Sequence, residues 1–574
     1  MKRYKICLLV LAGILMACSS SWAYPARQLS QFGITWTFDR EYECGQFANG
    51  DYWVQGPITI VGISPASVSS GGRIINGSMI NPSPRLGSVQ GFDTSIRYAY
   101  NAALNVARPN NNTLSAANPL NISPGSSLVS TISAGTIDRS SVQTAAILTV
   151  LSSPAPSGSF RPAYTNVSKA IRFNKSQLNY SVLGRLAPVA SRPRLAQQSG
   201  DSQSSSVERM FERPWIDYVP DWHNRFIHPT TSMPDYGREI SAQVGIAALM
   251  LNLNYSEREK ETLMIRFVQL GIDNYGIVQD AGQDNWENNG GHASGRKFPI
   301  LFSGVVLNDA AMRNIGQKSG TYLYTGSYGP GNEPPDYIHF GEDDQTFYVT
   351  QNDVAITNGP NWHPDSRAAQ LIPYNQGDIG LVEWGIRHSS YPEADNKYWG
   401  ANYRRDCTAN AWAGFVLATH VMGLKELWNH DCLFDYQDRY MQVTADNGPY
   451  PGSRQNSSAF AENMWDAYRN NYGPVWVLDD PSDTYSQGHY EGSGSTTPPP
   501  PPPPSTLYGD VSQNSSISAY DASLAAQYAV GSITLTADQI TAADVTGNGD
   551  VSATDASWIA RKAVDPGIRF PVEP

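Results

Sequence analysis

Asn285-Trp286-Glu287-Asn288-Asn289-Gly290-Gly291-His292-Ala293-Ser294-Gly295-Arg296-Lys297-Phe298-Pro299 gathers two adjacent amides, a histidine and two cations in a segment loosened by three glycines. Apolar stretches of helical period flank it. Ser256 with Glu259 writes a capping box ahead of Leu263, Ile265, Phe267 and Leu270. Phe298 to Met312 is a second apolar helical run, and Thr408 to Trp428 sets Trp412, Phe415, Val416, Thr419 and Met422 on one face. The quoted stretch is therefore a polar loop between helices, and residues 207–475 read as helices packed in pairs. Polar groups on a loop held by a rigid scaffold are the usual anatomy of a catalytic site. The same amides also suit helix caps, and the segment alone does not choose between the two.

Upstream the period changes. Gly33 to Phe38 alternates apolar and polar residues, Asn49-Gly50 is a hairpin turn signal, and Tyr52-Trp53-Val54, Ile58 to Val61 and Ile147 to Leu151 are short strand-like runs. This predicts an N-terminal antiparallel β-sandwich. Trp36 and Trp53 are expected in its core.

At 574 residues the chain exceeds one core. It is acidic, with a net charge of −12, and has no basic run or basic–aromatic stripe, which argues against a nucleic-acid partner. Lys2, Arg3 and Lys5 precede an apolar run from Ile6 to Ala17, too short for a membrane span, so residues 1–23 read as a secretory signal peptide. Cleavage after Ala23 releases a soluble protein; a lipoprotein cut before Cys18 is the alternative. Cys44, Cys407 and Cys432 then remain, with Cys407–Cys432 the plausible disulfide and no zinc-type spacing.

Pro498 to Pro504 is an unbroken proline run, an extended spacer. Beyond it the chain repeats itself. Gly509-Asp510-Val511-Ser512-Gln513-Asn514-Ser515-Ser516-Ile517-Ser518-Ala519-Tyr520-Asp521 returns as Ala543-Asp544-Val545-Thr546-Gly547-Asn548-Gly549-Asp550-Val551-Ser552-Ala553-Thr554-Asp555. Oxygen-bearing side chains fall at alternating loop positions in each copy, as a twelve-residue Ca²⁺ loop requires. The candidate metal ligands are Asp510, Ser512, Asn514, Ser516 and Asp521, then Asp544, Thr546, Asn548, Asp550 and Asp555. This duplicated loop–helix unit resembles a type I dockerin. The resemblance implies two Ca²⁺ ions, docking to a cohesin domain on a scaffold or cell surface, and polysaccharide-degrading cargo. Ser515 stands where the second loop has its turn-making Gly549.

Three activities are open for the helical body. The first is a polysaccharide lyase: β-elimination needs donors that neutralise a uronate carboxylate, with a Tyr or His to move the proton. Trp286 to His292 resembles the tryptophan, paired-asparagine and histidine segment of α/α-toroid alginate lyases, although Gly290-Gly291 separates Asn from His where that family has them adjacent. In that α/α-toroid family an Asn and a nearby His act with an Arg and a Tyr from later helices, and the paired helices here suit such a toroid by analogy; the catalytic candidates are Asn288, Asn289, His292, Arg296, Tyr403 and Arg404, with Trp286, Lys297, His228 and Tyr337 as candidates to touch the substrate. Tyr337 and Tyr348 also compete for the Tyr role. No cofactor is implied for this domain. The second is a glycoside hydrolase, which needs two facing carboxyl groups; Asp280, Asp284, Glu287, Glu342, Asp343, Asp344 and Glu383 are its candidates. The third is a non-catalytic polysaccharide-binding protein. His223 and His228, near Asp221 and Asp235, are further candidates to line the cleft, His420 is expected in the core, and His430 is expected to pair with Asp431 in a loop. The chain thus reads as a multidomain α+β protein: signal peptide 1–23, β-sandwich 24–175, helical domain 200–490, linker 491–506 and dockerin 507–574.

Overall fold

Alternation with period two carries Ile34 to Gln46 into a single long strand whose Ile34, Trp36 and Phe38 all point inward. The computed structural model describes residues 23–97, 99–109, 113–135, 140–319, 336–359, 373–386, 399–400, 403–452, 454, 457–492, 508–512, 517–565 and 568–571. Residues 1–22, with the lipoprotein cleavage reading before Cys18, lie outside the described residues.

The N-terminal strands are β1 (Tyr24–Gln31), β2 (Ile34–Gln46), β3 (Tyr52–Gln55), β4 (Ile58–Ser64), β5 (Val68–Ser70), β6 (Arg73–Ile75), β7 (Ser78–Ile80), β8 (Leu120–Ile122), β9 (Ser126–Ser133) and β10 (Val142–Leu151). Eight form one sheet in the order β7-β9-β10-β3-β2-β4-β8, with β1 added on β2. Asn49-Gly50 does make the turn between the antiparallel β2 and β3, with Gly50 at φ 91° and its N–H donating to the Phe47 carbonyl. β10 runs parallel to β3, so the sheet is mixed and not purely antiparallel. The sheet curls: the Trp36 indole on β2 donates to Ser130 Oγ on β9 at 3.0 Å. One face encloses Trp36, Phe38, Ile58, Ile60, Ala146, Leu148 and Val150. On the other face Val129, Ala145 and Ile147 join the core of the helical body. A single curled sheet, buried on both faces, stands where two facing sheets are expected. Trp36 and Trp53 are core residues, as expected.

The body contains α1 (Val207–Met210), α2 (Gly237–Leu251), α3 (Glu257–Gln279), α4 (Lys297–Val306), α5 (Ala310–Arg313), α6 (Gly341–Asp344), α7 (Gln351–Thr357), α8 (Ala413–Val421), α9 (Lys425–Trp428), α10 (Asp431–Val443) and α11 (Ala459–Tyr468). Small strands β11 (Thr346–Tyr348) with β12 (Val382–Trp384), and β13 (Val475–Leu478) with β14 (Gly488–Glu491), lie among them. The Ser256/Glu259 capping box opens α3. The two long apolar runs are interrupted, the first at Asn308 (φ 53°) and the second at Gly423 (φ 66°). The helices pack in pairs, α3 on α4 and α2 on α8. α2 and α8 touch through glycine: a Cβ on Gly245 would sit 2.9 Å from the Gly414 Cα.

A buried ion network ties sheet to helices. Arg161 donates through Nε to Asp51, in the β2–β3 turn, at 2.6 Å and through Nη1 to Asp273 on α3 at 3.0 Å. Removing one partner of such a pair strands a buried charge, at about 3–5 kcal/mol. The two regions therefore share one interior.

Cys44, Cys407 and Cys432 are all free thiols, so the expected Cys407–Cys432 bridge is absent. Cys432 is buried at the start of α10, whereas Cys407 is half-buried and bonded by the Tyr236 hydroxyl. Among the described residues no helix is long and apolar enough to cross a membrane.

The tail contains α12 (Ala519–Ala529), α13 (Ala537–Ala543) and α14 (Ala553–Val564) around its own core, with Val511, Ala525, Val545, Ile559 and Phe570 at its centre.

Candidate functional site

The loop 285–296 is tied down from every side. Asn285 Nδ2 donates to the Asp217 carbonyl at 3.0 Å, Gly290 N–H to the Ile386 carbonyl at 3.1 Å, and Gly295 N–H to Glu342 Oε2 at 3.1 Å. Gln345 Nε2 donates to the Gly290 carbonyl at 3.1 Å. The glycines are dictated by contact. A Cβ on Gly291 would lie 2.4 Å from the Cys407 carbonyl oxygen and 2.5 Å from the Tyr236 hydroxyl, and one on Gly290 would lie 2.8 Å from the Tyr403 ring. The loop is preorganised, and the glycines bring its polar groups against two tyrosines.

Several residues expected to touch substrate are buried supports instead. Asp217 accepts from Arg296 Nε at 2.9 Å, His228 Nε2 at 2.8 Å and Trp286 Nε1 at 3.1 Å, all within the core. Burial alone would raise the Asp217 carboxyl, but Arg296 and His228 outweigh it and hold it below its ordinary value. His228 Nδ1 faces the Pro234 carbonyl at 2.8 Å, so both its nitrogens are occupied. Lys297 is fully buried between Asp343 and the Trp428 carbonyl. Arg404 is fully buried on Glu383 at 2.6 Å, with its guanidinium 4.7 Å from the Trp399 ring centroid. Tyr337 is also buried, its ring against His339. These side chains fix the scaffold that presents the loop; a charge committed to a buried partner is not free to bind an anion.

Most candidate carboxylates share that fate. Asp280 accepts the Asn166 N–H at 3.0 Å, Asp343 holds Lys297 and the Trp428 indole, Asp344 takes His339 at 2.7 Å, and Glu383 binds both Arg404 and Arg439. Burial first, then Asp343, push the Glu342 carboxyl up to about 7. Only Asp284, exposed, and Glu287, half-buried, keep an open aspect. Burial raises the Glu287 carboxyl.

Half-buried groups converge at the loop's outer side. Asn288 is buried, its N–H donating to Asp344 Oδ2 at 3.3 Å, whereas Asn289 is half-buried and donates from Nδ2 to Asp221 Oδ1 at 3.1 Å. Asp221 holds a φ of 58°, a strained value for a residue with a Cβ, pinned by its N–H bond to the Asn285 carbonyl. The His292 ring stands edge-on to Tyr236, centroids 4.6 Å apart, and 6.2 Å from Trp222. His292 Nδ1 is buried with no hydrogen-bond partner. Burial, then Arg225 and Arg296, push its pKa down to about 3, which makes it a neutral imidazole near neutral pH. Burial, then the Cys407 thiol, raise the Tyr236 hydroxyl. Of the expected residues, Asn289, His292 and Tyr403 thus border one place. Tyr236 and Trp222 join them unforeseen. Tyr236 precedes α2 in Pro234-Asp235-Tyr236-Gly237, which reads as an ordinary helix entry.

Tyr348 is elsewhere, its hydroxyl on Asp435. His223 lies beside Trp222, centroids 4.6 Å apart. His420, expected in the core, is half-buried and packs edge-on against Phe434. His430 does not pair with Asp431: it is buried on Thr346 at 2.8 Å, while Asp431 meets Lys425 at 3.2 Å.

In the tail the first and last carboxylates of each loop meet through one hydroxyl residue. Asp544 accepts from Thr546 Oγ1 at 3.3 Å and Asp555 accepts from the same hydroxyl at 2.8 Å and from Thr546 N–H at 3.0 Å. In the first loop Ser512 bonds Asp510 at 3.3 Å and, through its N–H, Asp521 at 2.8 Å. Burial would raise Asp521 and Asp555, but serine, threonine and backbone donors outweigh it and hold both low. Gly549 takes φ 86° at the second loop's turn. Asn514, Ser515 and Ser516 lie outside the described residues.

The family model of the dockerin type I domain matches residues 508–562. Its match spans both loops and all three helices of the tail up to Lys562. Dockerin domains of this type bind Ca²⁺ and imply a cohesin partner. The oxygen donors grouped on Ser512 and Thr546 fit a hard cation. No curated protein and no solved structure matches the chain.

Proposed function

We propose that the chain is an exported polysaccharide-degrading enzyme, a lyase that cleaves a uronic-acid-containing polysaccharide by β-elimination, carried on a cohesin partner by a dockerin with two Ca²⁺ ions. The observation that supports this most is the convergence of Asn289, His292, Tyr236 and Tyr403 on one glycine-rich loop, while most of the neighbouring carboxylates are locked in ion pairs. Asn289 donates to the uronate carboxylate and lowers the barrier to enolate formation. Neutral His292 accepts the proton α to that carboxylate, and an incoming anion beside it raises its basicity. Tyr236, kept protonated, returns a proton to the leaving oxygen. Trp222 lies beside the ring as a stacking surface.

A hydrolase reading keeps one supporting observation, the raised Glu287 carboxyl, which suits a general acid. Paired variants separate the two. Asn289→Ala is expected to lower turnover about 100-fold or more, the loss typical of a missing charge-stabilising donor. Glu287→Gln is expected to leave turnover within about threefold, because a group outside the proton transfer contributes none of its usual factor. The opposite pattern supports the hydrolase.

A further inference from the structure

The β13–β14 hairpin packs on α10 and presents Tyr485 and Tyr490 outward. Tyr348 and Tyr450 stand in the same neighbourhood, Tyr348 close to Tyr490 and Tyr450 close to Tyr485. These four, with Tyr24 and the tail's Tyr520, are the exposed large aromatic side chains among the described residues; no Trp or Phe is among them. Two are held rigid. Tyr490 donates to Asp435 Oδ2 at 2.6 Å, Tyr348 donates to the same oxygen, and the Lys425 ammonium lies 3.9 Å from Asp435 and 5.8 Å from the Tyr490 ring. Asp435 is itself buried. Yet Tyr490 remains 50% and Tyr348 36% exposed.

Folding usually covers aromatic faces, so rings pinned at their hydroxyls and left open toward solvent point to a ligand. An amphipathic ring fixed in this way loses little rotamer freedom on binding. Its open face offers contact to the C–H surface of a pyranose ring, while buried Asp435 serves to hold the hydroxyls of Tyr348 and Tyr490 in place. A protein partner is served elsewhere, by the dockerin tail. We infer that Tyr348, Tyr490, Tyr485 and Tyr450 form a polysaccharide-binding platform separate from the loop 285–296, with stacked pyranose rings as its ligand. The inference rests on the proposed function only in taking polysaccharide as the ligand; it does not depend on which bond is cleaved.

Native affinity electrophoresis of the full chain in gels containing alginate, polygalacturonate or xylan tests it, since retardation reads binding without turnover. The wild type is expected to be retarded by at least one, and Tyr490→Ala to weaken that retardation about tenfold, the factor one aromatic contact carries. Tyr348→Phe keeps its ring and is expected to retain binding, which guards against a merely misfolded surface. Tyr490→Ala should leave the rate on short oligosaccharides unchanged. Retardation by none of the three, or retardation unchanged in Tyr490→Ala, overturns the platform. Retardation sensitive to Tyr490 without any cleavage leaves the platform standing and removes the catalytic proposal.

Discussion

Chelation of Ca²⁺ is expected to unfold residues 505–574 and abolish cohesin binding. The tail's core is small, built from alanines and a few larger residues such as Val511, Val545, Ile559 and Phe570, and a core of that size gives little stability unaided. Each loop also gathers oxygen donors of the kind that hold a hard cation, so binding the ion and folding the tail are coupled. Circular dichroism of the tail should gain helix on adding Ca²⁺ and lose it with chelator; a spectrum indifferent to chelator contradicts the account. The loops should differ. Gly549 takes the left-handed turn that a side chain resists, and Ser515 occupies the matching position in the first loop. Asp555→Ala is therefore expected to weaken Ca²⁺ binding more than Asp521→Ala, as read by calorimetric titration of the two variants.

Tyr236→Phe is expected to lower kcat by about 10²–10⁴, the range that a positioned proton donor contributes. The substitution removes one oxygen and keeps the ring that packs edge-on against His292 and fills the space above Gly291. KM should change little, because the hydroxyl acts on the leaving oxygen and not on the bound ground state. His292→Ala should cost a similar factor, and the double variant little more, since the two act in one proton path. A Tyr236→Phe enzyme with full activity would pass the proton-donor role to Tyr403, whose ring covers Gly290.

The local features of this fold were written plainly in the sequence. The capping box at Ser256 and the Asn49-Gly50 turn each depend on neighbours a few residues away, and each formed as read, while the duplicated tail repeat is matched by the dockerin family model. What depended on distant partners was hidden. Arg296 and Lys297 stand in the most polar stretch of the chain, but their carboxylates, Asp217 and Asp343, lie 79 and 46 residues away, and meeting them turned two apparent substrate contacts into buried supports. Arg404 is the same case, with Glu383. Tyr236 is legible only in three dimensions: Asp235, Arg238 and Glu239 around it read as an ordinary charged helix entry, and its place beside the loop comes from the start of α2 meeting residues further along the chain. The helical period gave the helices but not their interruptions at Asn308 and Gly423.

Elimination at a uronate leaves an unsaturated sugar at the new chain end, which hydrolysis does not, so the product of cleavage separates the two. Incubating the full chain with acidic and neutral polysaccharides, and following unsaturated-uronate absorbance alongside new reducing ends, should show both rising together on an acidic polymer and neither on a neutral one. New reducing ends without that absorbance would contradict the lyase and return the Glu287 carboxyl to the centre of the mechanism.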